Sequence, residues 1–173
     1  MFCQLDYSLD KAYYRDYFFQ NISRAQHHKN EASELKFWFK MYGIGELTKN
    51  IISDLNLQGL NIIPRFSYQL KNTRLPPHID LDKIVGININ LMDTAAVIHV
   101  QGVPYSYECA LIDVGTKLHS VEPTNEERLV LKLAIRADWA EIYNRLKSKN
   151  LLLTRADDYV SVLEEKDKKL VKK

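Results

Sequence analysis

The stretch Ile84-Val-Gly-Ile-Asn-Ile-Asn-Leu-Met92 alternates apolar and polar residues over most of its length. Successive side chains of an extended strand point to opposite faces, so Ile87, Ile89 and Leu91 share one face and Asn88 and Asn90 the other. The same period of two returns between Leu129 and Ala137. There Leu129, Leu131, Leu133 and Ile135 lie opposite Arg128, Val130, Lys132 and Arg136. Further strand candidates run from Ile62 to Lys71, from Val97 to Val103 and from Tyr107 to Val114. Short strands at fairly even spacing, broken by turn residues, predict a barrel or a sandwich. The polar rows admit two placements: outside a sheet against water, or inward as the lining of a polar cavity.

Helix signals flank this β region. From Leu9 to Leu57 the chain reads mainly as helix, with Tyr14, Tyr17, Phe18 and Ile22 near helical spacing and Leu47, Ile51, Ile52 and Leu55 on one side of a second helix. Gly59 follows as a stop signal. The run Phe37, Trp38, Phe39, Met41, Tyr42 reads as core. After the strands, Trp139, Ile142, Tyr143 and Leu146 form an amphipathic stripe, and a last helix is expected from Ala156 to about Val171. The expected organisation is one domain over residues 1–173. It has a helical part (1–60), a β core (61–137) and C-terminal helices (138–173), and is α+β in class with the helices on one sheet.

Composition narrows the function classes. A hydrophobic fraction of 46% with 27% charged residues is that of a soluble globular protein, and a net charge of +2 gives no reason to expect nucleic acid. Much of the basic excess lies in the tail (Lys166, Lys168, Lys169, Lys172, Lys173), where it reads as a solvated helix end. Cys3 and Cys109 are the two cysteines and have no close spacing, so neither a disulfide framework nor a thiolate zinc motif is expected. The charged N-terminal stretch lacks the layout of a secretory signal, and no apolar run approaches a membrane span. A soluble, cytoplasmic protein without membrane partners is the expectation.

Chemistry concentrates in Leu75-Pro-Pro-His-Ile-Asp-Leu-Asp82. In extended backbone His78 and Asp80 point to the same side and offer an imidazole and a carboxylate to one divalent metal. The preceding prolines favour extended or turn geometry. His119, just after a predicted strand, supplies a second imidazole. Two histidines and one carboxylate leave open positions on an octahedral iron, the ligand logic of non-haem Fe(II) oxygenases. His99 reads as structural or as cavity lining, and His27 and His28 as exposed. Arg128 opens an apolar-alternating strand, where its planar fork suits a carboxylate; local pairing within Glu126-Glu127-Arg128 is the other reading.

The order His78-x-Asp80, His119, Arg128, at the ends of predicted strands, resembles the 2-oxoglutarate and Fe(II)-dependent dioxygenases. The likeness covers roughly Ile63 to Arg136. Phe66-Ser-Tyr-Gln-Leu-Lys-Asn-Thr-Arg-Leu-Pro-Pro-His-Ile-Asp80 and Cys109 to Pro123 are similar to segments of the aspartyl/asparaginyl β-hydroxylase-like and prolyl-hydroxylase-like branches. The resemblance implies a double-stranded β-helix, a jelly-roll or cupin-like barrel. It implies iron on His78, Asp80 and His119, the distal carboxylate of 2-oxoglutarate on Arg128, and a further cosubstrate contact from Tyr68. The implied reaction consumes dioxygen and 2-oxoglutarate and hydroxylates a substrate C–H. Two positions depart from the pattern: Val130 stands where many members place a hydroxyl residue, and Asn72-Thr73 where a glycine is often found.

Asn88, Asn90, His99 and Gln101, if they line a cavity, suit a small polar molecule or a peptide side chain. A cupin-like metal enzyme that does not use 2-oxoglutarate and a non-enzymatic β-barrel binding protein are the competing readings. Oligomeric state is not readable.

Overall fold

A computed structural model describes residues 1–27, 38–80 and 84–153. The expected helix from Ala156 onward, the basic tail, His28 and Phe37 lie outside the described residues. Eleven strands are described: β1 (Phe2–Gln4), β2 (Gln26–His27), β3 (Trp38–Met41), β4 (Ile62–Gln69), β5 (Leu75–His78), β6 (Ile84–Asn90), β7 (Ala96–Val100), β8 (Val103–Tyr107), β9 (Cys109–Ile112), β10 (His119–Val121) and β11 (Arg128–Arg136). They form two antiparallel sheets. The larger has the order β1-β9-β6-β11-β4-β3-β2 and the smaller β5-β10-β7-β8. From β4 onward the chain crosses repeatedly between the sheets and divides eight strands four and four, the strand order of a double-sheet jelly roll.

The larger sheet is apolar on both sides, but unevenly. On its outer face Phe66, Tyr68, Ile87, Ile89, Leu129, Leu131, Leu133 and Ile135 are buried in one core cluster. The cover over that face comes from α1 (Lys11–Gln20), α2 (Lys49–Asp54) and α3 (Trp139–Ser148), through residues such as Phe18, Ile51, Ile142 and Leu146. Asp10 caps α1 by accepting from the Tyr13 amide. A second, smaller cluster lies between the sheets and joins Phe2, Trp38 and Ile112 of the large sheet to Ile98, Val100, Tyr107 and Val121 of the small one. Among the described residues no helix is long and apolar enough to cross a membrane.

Two expectations need correction. The N-terminal part is less helical than its apolar spacing predicts: Trp38–Met41 is a strand paired with β4, and the second helix shrinks to Lys49–Asp54 after a 3-10 turn at Glu46–Thr48. Trp38, Phe39 and Met41 are aromatic or bulky residues that suit a pleated, half-buried surface, and the open strand edge of β4 receives them. The stretch from Val97 to Val103 is a hairpin and not one strand. Gln101 (φ 53°) and Gly102 (φ 78°) form a two-residue turn with both central residues left-handed, the geometry that matches strand twist. A glutamine is an unusual first turn residue, so only Gly102 signalled the reversal.

Candidate metal centre and its cationic cavity

The space between the sheets opens into a cavity lined by residues of both. His78 ends β5 and His119 begins β10, directly opposite one another in the ladder, with ring centroids 4.2 Å apart. The register slips by one residue between His119 and Val121, opposite Pro76 and Pro77, which have no amide hydrogen to give a ladder. Asp80 lies two residues past His78, and its amide donates to the Val114 carbonyl (2.9 Å). Asp113 accepts from the Thr116 amide and hydroxyl, closing the turn that brings the chain into β10.

The three side chains converge. Asp80 Oδ1 is 3.3 Å from His78 Nε2 and 3.9 Å from His119 Nε2, and one donor atom from each residue lies within 4.8 Å of the others. Each imidazole is oriented from behind. His78 Nδ1 is 2.9 Å from the Pro76 carbonyl and His119 Nδ1 is 3.1 Å from the Lys117 carbonyl. A carbonyl can only accept, so Nδ1 carries a proton in both rings and Nε2 is the atom that each ring turns to Asp80, able to donate to that carboxylate while protonated and to ligate a metal once it is not. His119 is almost fully buried. Burial first, and the neighbouring His78 second, lower its pKa to about 4, although Asp80 pulls the other way. Burial would raise Asp80, but the His78 hydrogen bond, the Lys132 ammonium and His119 outweigh it and hold the carboxyl well below its usual range. With Nε2 deprotonated, two imidazoles and a carboxylate fit a divalent transition metal. His78, Asp80 and His119 would hold it.

Arg128 sits at the other end of the cavity, 9% exposed. It donates from Nη2 to the Tyr107 hydroxyl, stacks over that ring at 5.9 Å, and leaves its buried Nε without a partner. Asn88 also donates to the Tyr107 hydroxyl (3.3 Å) and leaves its own buried Oδ1 unpaired. Unpaired buried polar atoms are costly, and they point to a ligand that completes them.

Tyr68 is a correction. It lies on the outer face of β4, packed against Phe18, Phe19 and Phe39, and does not line the cavity. The inward residues of β4 are Arg65 and Ser67. Asn88 lines the cavity as expected. Asn90 is buried on the same face but turns its amide to the Met92 and Thr94 carbonyls. His99 alternates with the inward Ile98 and Val100, and Gln101 occupies the exposed hairpin turn. Lys40, Arg65, Tyr107 and Lys132 went unnoticed as site residues. Lys132 was visible on the polar row with Arg128. Lys40 had no signal, because its segment read as helix.

A jelly-roll protein with a two-histidine, one-carboxylate cluster between its sheets that could hold a metal ion is the class that fold and site define. Comparison with known proteins bears on the fold. No protein-family model matches the sequence, and no curated protein matches it. Among solved structures, a prolyl-4-hydroxylase from Pseudomonas putida superposes with a TM-score of 0.55 at 15% identity, covering 73% of this chain and 83% of that one. The DMSP lyase DddQ from Ruegeria pomeroyi DSS-3 gives 0.53 at 15% identity, over 75% and 65%. The viral collagen prolyl hydroxylase vCPH from Paramecium Bursaria Chlorella virus-1, solved as a 2OG complex, gives 0.50 at 10% identity, over 75% and 91%. At these identities the likeness is one of fold.

Proposed function

We propose that this chain is an Fe(II)- and 2-oxoglutarate-dependent dioxygenase that hydroxylates a C–H of a small polar molecule or peptide side chain. In this reading it is a single domain built on a double-stranded β-helix. The observation that carries the proposal is the pairing of two features in one cavity. The His78, Asp80 and His119 donors converge with both Nε2 atoms turned to the same centre, and a buried guanidinium at Arg128 has no carboxylate partner among the described residues. A fold shared by hydroxylases and a lyase does not determine chemistry, so the weight rests on the site.

Bound iron with 2-oxoglutarate would supply the oxidising chemistry with dioxygen, releasing succinate and carbon dioxide. The protein's own contributions are positional. The Pro76 and Lys117 carbonyls hold each imidazole in the ligating tautomer. Arg128, steadied by Tyr107, would take the distal carboxylate of the cosubstrate through its paired N–H donors. The apolar wall of Ile98, Val114 and Val121 would limit water near the metal. Cys109 is a buried free thiol, which supports a reducing, cytoplasmic setting.

Anaerobic titration of the purified apo-protein with Fe(II) and 2-oxoglutarate tests the proposal through the visible charge-transfer band of the chelate. The band is expected in the wild type, absent in His119→Ala and weakened in Arg128→Ala. Iron binding without a band would favour a metal enzyme that does not use 2-oxoglutarate. No metal binding at all would leave a β-barrel binder.

A further inference from the structure

The cavity holds more positive charge than the proposed cosubstrate needs. Reading across the inward face of the large sheet, Arg65 of β4 stands directly opposite Lys132 of β11. One row further on, Lys40 of β3 stands opposite Ser67 of β4. Arg128 is four residues from Lys132 along β11, about 13 Å at strand rise, so it forms a separate cationic point. Like charges directly opposite in a sheet repel, and burial in a shared cavity strengthens the repulsion. One carboxylate, Asp80, faces all four cations among the cavity-lining residues, and Lys132 already takes it at 3.1 Å. Arg65 has the Tyr42 ring at 6.0 Å and a buried Nε without a hydrogen-bond partner. No ion pair is found for Lys40 or Arg65 among the described residues. Burial, then Arg65 and Lys132, lower Lys40 to about 8.

Iron would enter as a dication and 2-oxoglutarate as a dianion, so together they leave this imbalance untouched. We infer that the substrate carries its own anionic group, a carboxylate or comparable oxyanion, seated between Arg65 and Lys40 beside the metal cluster. The inference rests on the dioxygenase reading for its chemistry, but the cation pair itself does not. Arg65 and Lys40 come from adjacent strands, and an oxyanion between them would complete the orphaned guanidinium N–H and remove the repulsion with Lys132. Trp38, on β3 two residues before Lys40, gives the same pocket a flat apolar wall for the body of such a molecule.

The test uses phenylacetate, its neutral twin phenylacetamide, and sulfate. Each is titrated calorimetrically into the protein loaded anaerobically with Fe(II) and saturating 2-oxoglutarate, while the chelate band is monitored. Phenylacetate and sulfate are expected to bind with the band retained, and phenylacetamide at least about tenfold more weakly, the scale of one lost charge-assisted hydrogen bond. Arg65→Gln and Lys40→Gln should each weaken phenylacetate by about tenfold without changing the 2-oxoglutarate affinity, and Arg65→Lys should restore part of the loss. Equal binding of acid and amide overturns the inference, as does the absence of saturable binding by either anion. Loss of the chelate band in Arg65→Gln or Lys40→Gln also overturns it, because those cations would then serve the cosubstrate. If the wild type gives no band, the dioxygenase reading has failed. The same titrations on the metal-free protein would then decide the anion site separately.

Discussion

The two faces of the large sheet are made by the same strands and differ in almost everything else. On β11, Leu129, Leu131, Leu133 and Ile135 point to the helices and are fully buried in the larger core. Their alternates Arg128, Val130 and Lys132 point into the cavity. β4 repeats the division with Phe66 and Tyr68 outward against Arg65 and Ser67 inward. The outer face contributes stability, since each buried aliphatic side chain contributes about 1.5–3 kcal/mol. The inner face gathers desolvated cations, unpaired polar atoms and metal donors, which are costly until a ligand completes them. One strand period thus separates what holds the protein together from what it can do.

The sharpest way to break that comparison is to mutate neighbours that point opposite ways. His119→Ala is expected to lower iron affinity by more than the roughly hundredfold that losing a supporting partner can cost, while shifting the urea midpoint little. Leu131→Ala should cost about 2–5 kcal/mol by urea denaturation and leave iron affinity close to wild type in the folded protein. Matching profiles for the two variants would mean that the faces are not separable.

A pH titration reaches the same division without truncating the core. In the unfolded chain His119 takes up its proton near its ordinary value of 6.5, and in the folded metal-free protein near 4. Between these values the unfolded state holds the extra proton, so stability is complete above about pH 6.5 and falls as pH drops towards 4. The loss attributable to this residue is about 3 kcal/mol at most. Asp80 adds to it at lower pH, because its folded pKa is also depressed and its contribution is lost as pH falls through that value. His119→Gln should flatten the slope between pH 4 and 6.5 in a series of denaturation midpoints. An unchanged slope would show that another group carries it.

Smaller, and opposite in sign to Leu131→Ala, is the effect expected of Lys40→Met. The ammonium is half-buried near Arg65 and Lys132 with no carboxylate of its own among the described residues, so an apolar chain of similar length should raise stability by about 1 kcal/mol after solvent screening. Loss of stability in a salt-free buffer would mean that the ammonium has a stabilising partner, and that the inner face is less strained than its register suggests.

Most of this division was legible in the sequence. The period of two in Ile87 to Asn90 and in Arg128 to Ile135 assigned both faces, although which one was wet depended on the helices covering the other. His78 and Asp80 could be named because a two-residue spacing in extended chain fixes direction, His119 because it follows a strand signal, and Arg128 because it opens an apolar-alternating strand shortly after His119. Tyr68 was placed in the site on resemblance alone. Its own alternation with Arg65 and Ser67 put it on the other side, and that local evidence was the better guide. Lys40 could not be read, and Trp38 could be read as core but not as cavity wall, because their short segment becomes a strand only by pairing with β4, a long-range contact that local spacing does not encode. The slip in register between β5 and β10 was equally invisible. It is a property of two strands together, signalled only by paired prolines that also fit a plain turn.

Tyr68 gives the finest cut between the faces, one hydroxyl on a strand whose next residue inward lines the cavity. Its side chain packs among Phe18, Phe19 and Phe39, and burial first, with the Glu127 carboxylate nearby, raises its phenol above the ordinary range. Tyr68→Phe keeps the ring contacts and removes only the hydroxyl, so it should cost about 1 kcal/mol or less. The affinity for 2-oxoglutarate, read from the chelate band, should not change. Ser67→Ala one position earlier removes a hydroxyl from the inner face and should behave in the reverse way, with stability intact and ligand affinity altered. If Tyr68→Phe weakens the band, its hydroxyl is coupled to the cavity through Glu127 and the neighbouring Arg128, and the separation of faces by strand period fails at the entrance of the site.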